Sequence, residues 1–140
     1  MTFQAIRAHI ESKVNTAFGN LNPPVEVCFD NVQDVPPALP YVVCTISYVE
    51  TTVSTVCPTD GAMEQINGNL QLVAYAPRGR GMKDLEQYAT TSMQVMNSLY
   101  EWGASVKVKA GPISGPSSVL ANDSPHALVN TSCAFTAAIE

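Results

Sequence analysis

The sequence has few charged side chains, which limits the classes of protein it can belong to. Asp, Glu, Lys and Arg make up 14% of its 140 residues, whereas an ordinary soluble domain has roughly 25%. The net charge is −5 at pH 7, and a protein that grips nucleic acid regardless of sequence would carry a basic surface instead. So low a charge content predicts that another subunit covers part of the surface.

Long apolar runs and paired cysteines are also missing. No stretch approaches the roughly 20 apolar residues that a membrane-spanning helix needs, so we expect no membrane partner. The four cysteines, Cys28, Cys44, Cys57 and Cys133, are scattered and form no C-x-x-C pair. Because no signal peptide precedes them, they are expected to be reduced thiols in a cytoplasm.

Residues for a catalytic or metal site are scarce. The two histidines, His9 and His126, lack a metal-ligand spacing such as H-x-x-x-H, and the chain has no G-x-S-x-G elbow for a serine nucleophile. The scattered carboxylates neither indicate nor exclude a paired acid–base site. We therefore predict no catalytic residue, no metal and no cofactor, and a protein that is not an enzyme.

The spacing of apolar residues predicts seven elements in one domain over residues 1–140. Apolar stripes three or four residues apart predict helices over 3–18 and 82–100, the second ended by Gly103. Alternation predicts strands over 25–29, 41–56, 63–76, 106–109 and 129–139, and glycine, proline and serine predict a loop over 111–125. The order α-β-β-β-α-β-β predicts an α+β fold, a mainly antiparallel sheet with both helices on one face.

The strands over 41–56 and 63–76 are predicted to form one long hairpin around a turn at 58–61. Each arm exceeds the usual five or six residues. The tip is polar and poor in large apolar residues, so we expect it to protrude beyond the core. A protruding ribbon with open edges aggregates unless something covers it, and a neighbouring copy of the chain could do so.

A strand, a charged glycine loop and a helix meet near residue 80, and such junctions often bind phosphate. The loop fits neither phosphate-binding pattern, because Gly81 is followed by Met82 and Lys83 with no hydroxyl, and Asp84 stands where the dinucleotide fingerprint has its third glycine. A small cytosolic ligand-binding or enzyme domain that uses Gly79–Gly81 is therefore the less favoured alternative.

Charge of opposite sign is separated along the chain. Residues 14–77 contain six acids and no Lys or Arg, and three cations follow within six residues. We expect the acidic surface of one subunit to meet the basic loop of a neighbour, or either surface to meet another partner in an assembly. A solvated loop with three ordinary cations is the alternative. The predicted contact residues are Arg78, Arg80, Lys83, Asp60, Glu64 and Glu50.

The arrangement resembles the tail terminator proteins of long-tailed bacteriophages. The strand that ends in Ala76-Pro77, the turn Arg78-Gly79-Arg80-Gly81 and the helix from Met82 carry the likeness at residue level. The long hairpin, the N-terminal helix and the proline-led second strand, Leu39-Pro40-Tyr41-Val42-Val43, also fit. The resemblance covers nearly the whole chain in element order.

The resemblance implies a structural virion protein with no catalytic residues. Such proteins form a six-membered ring on the head-proximal end of the tail tube, halt tube polymerisation and dock to the head or its connector. The implied partners are further copies of the chain, the tail tube protein and a head–tail connector or neck protein. DNA would pass through the lumen without sequence-specific contact. The implied location is the tail or neck of the virion, and the host cytoplasm during assembly. Another neck or tube component, such as a head–tail stopper or a tail tube protein, is the alternative.

Overall fold

The computed structural model describes residues 3–21, 24–29, 40–53, 64–77, 83–101, 106–119 and 126–139. Two helices and five strands follow one another in the predicted order, which confirms the α+β class. The elements are α1 (Phe3–Gly19), β1 (Glu26–Cys28), β2 (Tyr41–Val53), β3 (Glu64–Pro77), α2 (Lys83–Asn97), β4 (Val106–Val119) and β5 (His126–Ile139).

The five strands form one sheet in the order β1-β2-β3-β5-β4. Only the short pair β1–β2 is parallel, and the other three pairs are antiparallel, as predicted. Strands β3 and β5 lie at the centre, where they pair with each other from Gln65↔Ala138 to Pro77↔His126. Strand β4 is one edge of the sheet. Strand β2 becomes the other edge beyond its three-residue contact with β1.

Both helices pack on the same face of the sheet, as predicted. Their buried side chains join one apolar cluster with alternate residues of the strands, because successive strand residues point to opposite faces. In the predicted stripe of helix α1, Ile6, Ile10, Val14 and Phe18 are fully buried, whereas its first member, Phe3, is exposed. The opposite face of the sheet carries no helix among the residues that the structure describes.

The predicted hairpin of β2 and β3 is confirmed over the described residues, with a ladder from Tyr41↔Tyr75 to Val53↔Glu64, and the predicted ends of its arms, 54–56 and 63, lie outside them. Because β3 is also paired with β5 over nearly its whole length, the described part of the hairpin lies within the sheet, and Ile66 is fully buried. The predicted tip, residues 54–63, lies outside the described residues.

Strand β4 is much longer than predicted, and the prediction of a loop from residue 111 was wrong. The strand pairs with β5 as far as Val119↔Leu128. It contains one extra residue between Ala110 and Ile113 and another between Ser114 and Ser117, where the chain has a cis Gly115–Pro116 bond. Each extra residue shifts the alternation by one, and an edge strand tolerates proline, so the sequence pattern hid the strand.

Helix α2 is shorter than the predicted helix over 82–100, and its buried face is rotated about the helix axis relative to the predicted one. It ends at Asn97, Tyr100 is 46% exposed, and Leu99 is buried instead. The buried face includes Thr91 and Ser92, whose hydroxyls donate to the carbonyls four residues earlier at 3.0 and 2.8 Å. These bonds satisfy the hydroxyls inside the apolar interface, which a stripe of apolar residues alone does not predict. Gly103 lies outside the described residues.

Candidate assembly surface

The structure fully describes two of the six predicted contact residues. Glu50 is exposed on β2, opposite Asn67 of β3, and Lys83 is exposed as the first residue of α2. Glu64 begins β3, but its side chain is outside the described part of the chain. Arg78, Arg80 and Asp60 also lie outside it.

Glu50 and Lys83 lie toward opposite ends of β3. Asn67, the partner of Glu50, is ten residues from Pro77, after which the chain leads to α2. At 3.3 Å per residue, Asn67 and Pro77 are about 33 Å apart along the strand. One chain therefore does not bring these two charges together. A contact between them would have to join two copies.

The sheet face opposite the helices is lined mainly by neutral polar side chains. The register places hydroxyl and amide groups on β2, β3 and β5 side by side there. Asn67 and Thr136 are joined by a hydrogen bond of 3.2 Å from the threonine hydroxyl to the amide oxygen. Five of these side chains line a shallow depression of about 390 Å³: Thr45, Ser47, Asn69, Gln71 and Ser132.

An aromatic pair covers one end of the sheet face opposite the helices. The rings of Tyr41 and Tyr75, a directly opposed pair, stack with their centroids 5.0 Å apart. Burial raises the pKa of Tyr41 above its ordinary value, and the neighbouring Tyr75 and Cys28 side chains raise it further. Burial also raises the pKa of the Cys133 thiol, on the helix face, to about 11. Both groups are therefore protonated at neutral pH.

The sheet face opposite the helices, which we call the open face, carries its charged side chains at its two edges. The register places Glu50 of β2, Asn67 of β3, Thr136 of β5 and Lys109 of β4 in one row across the sheet. Lys107 lies two residues from Lys109 on the same edge strand. These two lysines were not predicted as contact residues. Their alternation with Val106 and Val108, which are buried, is the sequence signal that they face away from the core.

The β2 edge carries an exposed apolar group, which we call the β2 patch: Phe3, Tyr48 and Val49. Val49 is the extra residue of a bulge between Tyr48 and Glu50 and is 68% exposed. Phe3 is 47% exposed, and its ring centroid lies 4.7 Å from that of Tyr48. The Tyr48 hydroxyl donates to the Phe3 carbonyl at 3.3 Å. The bulge thus displays Val49 beside a fixed aromatic pair.

Arg7 of α1 holds the β2 patch in place from the helix side. Its guanidinium lies 5.8 Å from the centroid of the Tyr48 ring, and it donates to the Ile46 carbonyl at 3.4 Å. It also forms an ion pair with Glu11 at 3.4 Å. Since α1 and β2 are tied together here, the patch is a feature of the folded chain.

The β4 edge carries a depression of about 560 Å³, the β4 depression, between the end of α2 and the edge strand. Among the described residues it is lined by Met96, Asn97, Tyr100, Lys109 and Ala110. Tyr100 is half exposed, and the Lys107 ammonium lies 6.0 Å from its ring centroid. A mixed lining of Met96, Tyr100 and Ala110 with Asn97 and Lys109 suits an apolar side chain accompanied by a carboxylate.

Other features concern the fold more than a site. His9 Nε2 lies 2.7 Å from the Leu99 carbonyl oxygen, which joins α1 to the segment after α2. In the described part of the chain, no three His, Cys, Asp or Glu side chains are grouped so that they could hold a metal ion. Over the same residues, no helix is both long and apolar enough to cross a membrane.

These observations define an α+β protein whose sheet has one helix-covered face, one open face and two chemically different edges. The sequence matches no protein-family model and no curated protein. One solved structure, whose name states no function, is similar with a TM-score of 0.71 and 24% sequence identity. The match covers 98% of this chain and 96% of that one. At this identity the likeness shows the fold alone.

Proposed function

We propose that the protein is a tail terminator of a long-tailed bacteriophage. It forms a ring on the head-proximal end of the tail tube, stops tube polymerisation and joins the tail to the head or its connector. It is a structural protein without catalytic residues or a cofactor. It works in the host cytoplasm during assembly and remains in the neck of the virion.

One observation carries the proposal: a long two-stranded hairpin, β2–β3, lies in a sheet with helices on only one face. On the side away from β3, the described strands cover β2 only at Tyr41–Val43, and farther along the Arg7 guanidinium bonds to the Ile46 carbonyl, so no described strand occupies the rest of this edge. Proteins usually protect such long edges from random pairing. In an assembly, a neighbouring subunit protects them.

The low charge of the open face supports the same conclusion. Contact between subunits removes charged groups from water at considerable cost, and interface centres are depleted of them. Neutral hydroxyl and amide groups, such as Thr45, Asn69 and Gln71, can exchange water for partner groups at a smaller cost. A face of this composition suits burial against tube protein or further copies of the chain.

Length control gives the physical reason for a separate terminator. A stack of identical rings grows indefinitely, because each ring regenerates the surface that the next one binds. A cap must bind that surface without regenerating it, and it must prefer a finished tube to a growing one. A ring of six copies whose tube-binding face differs from its connector-binding face meets the first need.

Removing the gene for this protein from the phage genome tests the proposal. The expected lysate contains filled heads beside unattached tails of excessive and variable length, visible by electron microscopy. Adding the purified protein to an extract that holds heads and normal-length tails should restore joining without added nucleotide or metal.

Two other outcomes are informative. Tails of normal length that fail to join would identify the protein as a head-side stopper, the nearest alternative among neck proteins. Normal virions from the deletion would contradict a structural role in the tail altogether.

A further inference from the structure

We infer that neighbouring copies in the ring join through the two opposite edges of the sheet. The β2 patch of one copy seats in the β4 depression of the next, and Glu50 of the first lies beside Lys109 of the second. This inference rests on the proposed ring and names the surfaces that build it.

The exposed apolar side chains indicate these two edges. Within the described residues, three large apolar side chains remain exposed: Phe3, Val49 and Tyr100. Single exposed apolar residues are common, but these three lie only in the β2 patch and the β4 depression. One edge therefore presents apolar groups, and the other presents a concave site whose lining includes the exposed Tyr100 ring and Ala110, so that docking buries exposed apolar surface on both edges.

The charges on the two edges are complementary. Glu50 is exposed immediately after Val49 on β2, and Lys109 is exposed in the wall of the β4 depression. Lys107, two residues away on the same edge, adds a second positive charge near Tyr100. When the β2 patch docks in the β4 depression, the Glu50 carboxylate lies beside Lys109. Such pairing fixes the register of an interface and speeds association.

Both edges carry their contact groups at the same height along the strands. One register row runs Glu50–Asn67–Thr136–Lys109, and the next runs Tyr48–Gly68–Phe135–Ala110. Ladder hydrogen bonds are perpendicular to antiparallel strands, so each row crosses the sheet with little rise. A repeated head-to-tail contact forms a ring when its rotation closes without rise, and otherwise it produces a filament.

The strand directions fit the same contact. Strand β4 runs antiparallel to β5, which runs parallel to β2, so β2 and β4 are antiparallel. Rotation about an axis along the strands preserves these directions, so β2 of one copy faces β4 of the next in antiparallel orientation. The regular part of β4, from Val106 to Ala110, lies in the rows concerned, and its bulges begin beyond.

Site-directed cross-linking tests the geometry on the assembled protein. A Val49→Cys/Asn97→Cys variant, bound to tail tubes and treated with a short bismaleimide, should give a ladder of covalent multimers on a denaturing gel. Each single variant controls for the native cysteines and should give no ladder. Val49→Cys/Lys83→Cys is the matched control, because Lys83 is exposed beyond the far end of β3.

Charge reversal gives an independent test by light scattering and tube binding. Glu50→Lys and Lys109→Glu should each weaken association about tenfold, and the double variant should recover most of the loss. Thermal unfolding of the variants should match the parent, since exposed changes cost under about 0.5 kcal/mol.

The outcomes separate this inference from the proposed function. If the wild-type protein forms multimers on tubes while all variants assemble normally and the double-cysteine variant gives no ladder, the edge contact is wrong and the terminator role stands. If the cysteine pair cross-links into a ladder but tails lose no length control without the protein, the contact stands and the proposed function fails. A wild-type protein that stays monomeric with and without tubes overturns both.

Discussion

Gly68 of β3 makes room for an aromatic ring on the helix face of the sheet. It lies between Tyr48 of β2 and Phe135 of β5 in one row, and the rings of these two meet edge to face with centroids 6.4 Å apart. A Cβ at position 68 would lie 2.6 Å from Phe135 Cζ and 2.5 Å from the Ser47 carbonyl oxygen. The absence of a side chain therefore allows Phe135 to cover the strand backbone.

Replacing this glycine is expected to destabilise the protein. Gly68→Ala forces the Phe135 ring or the Ser47 backbone to move, and overpacking of this kind costs about 1–3 kcal/mol in the free energy of unfolding. Urea unfolding followed by circular dichroism measures it. Gly19→Ala is the matched control, since a Cβ at position 19 would meet no neighbouring group within 4 Å. Equal stability of the two variants would contradict the packing described.

Individual residues were predictable where burial repeats regularly and unpredictable where one residue breaks the repeat. Four members of the α1 stripe were predicted correctly because they follow a helical spacing without interruption, but Phe3, predicted with them, is exposed at the start of the helix. Glu50 was selected for its charge alone, since its position on the open face depends on the extra residue Val49. Period-two reasoning from the start of β2 would have placed Glu50 on the helix face.

Among the elements, the hairpin was predictable and β4 was not. Strands β2 and β3 extend beyond the usual length with apolar alternation on one face, which the sequence shows directly. Strand β4 contains glycine, proline and serine because it is an edge strand, where neither continuous ladder bonds nor a buried second face is required. The β4 depression could not be foreseen, because it depends on where α2 ends relative to the start of β4, and the helix was predicted to continue to residue 100.

Shortening the hairpin tests whether its end belongs to the core. Replacing residues 54–63 with Asn-Gly would join the last described pair, Val53↔Glu64, by a two-residue turn that matches the strand twist. We expect a folded protein that assembles more weakly than the parent, because the ladder up to this pair, the β2 patch and the β4 depression remain while the segment expected to reach a neighbour is gone.

Circular dichroism and light scattering measure the fold and the association state of this shortened protein. Its unfolding temperature should stay within a few degrees of the parent. An unfolded product would instead place residues 54–63 in the core. A folded product that assembles normally would contradict a role of this segment in assembly.

At the scale of the whole molecule, charge is separated along the strands as well as across them. Glu50 lies opposite Asn67 near one end of β3, and Pro77, after which the chain leads to Lys83, is about 33 Å from Asn67 along the strand. The lateral contact between sheet edges therefore leaves the basic segment around Lys83 for a different surface, such as the tube or the connector.

The basic loop gives a prediction about this second surface. Arg78→Glu/Arg80→Glu should weaken binding to tubes, and the difference from the wild type should shrink as salt rises, because salt screens the attraction that the arginines supply. Sedimentation with tubes at several salt concentrations measures it, with Arg78→Lys/Arg80→Lys as the control that keeps the charge. Unaltered binding by the reversed variant would identify the loop as an ordinary solvated surface.

The bulge at Val49 also sets how the hairpin tolerates insertions and deletions. Two residues of β2 stand opposite one residue of β3 at this point only, between the pairs Tyr48↔Gly68 and Glu50↔Asn67. Losing Val49 would convert the bulge into a regular ladder and leave every later pair in place, whereas losing a residue elsewhere in the strand would move its neighbours to the wrong face. Related chains can therefore gain or lose this one residue, and with it part of the β2 patch, while the sheet keeps its register.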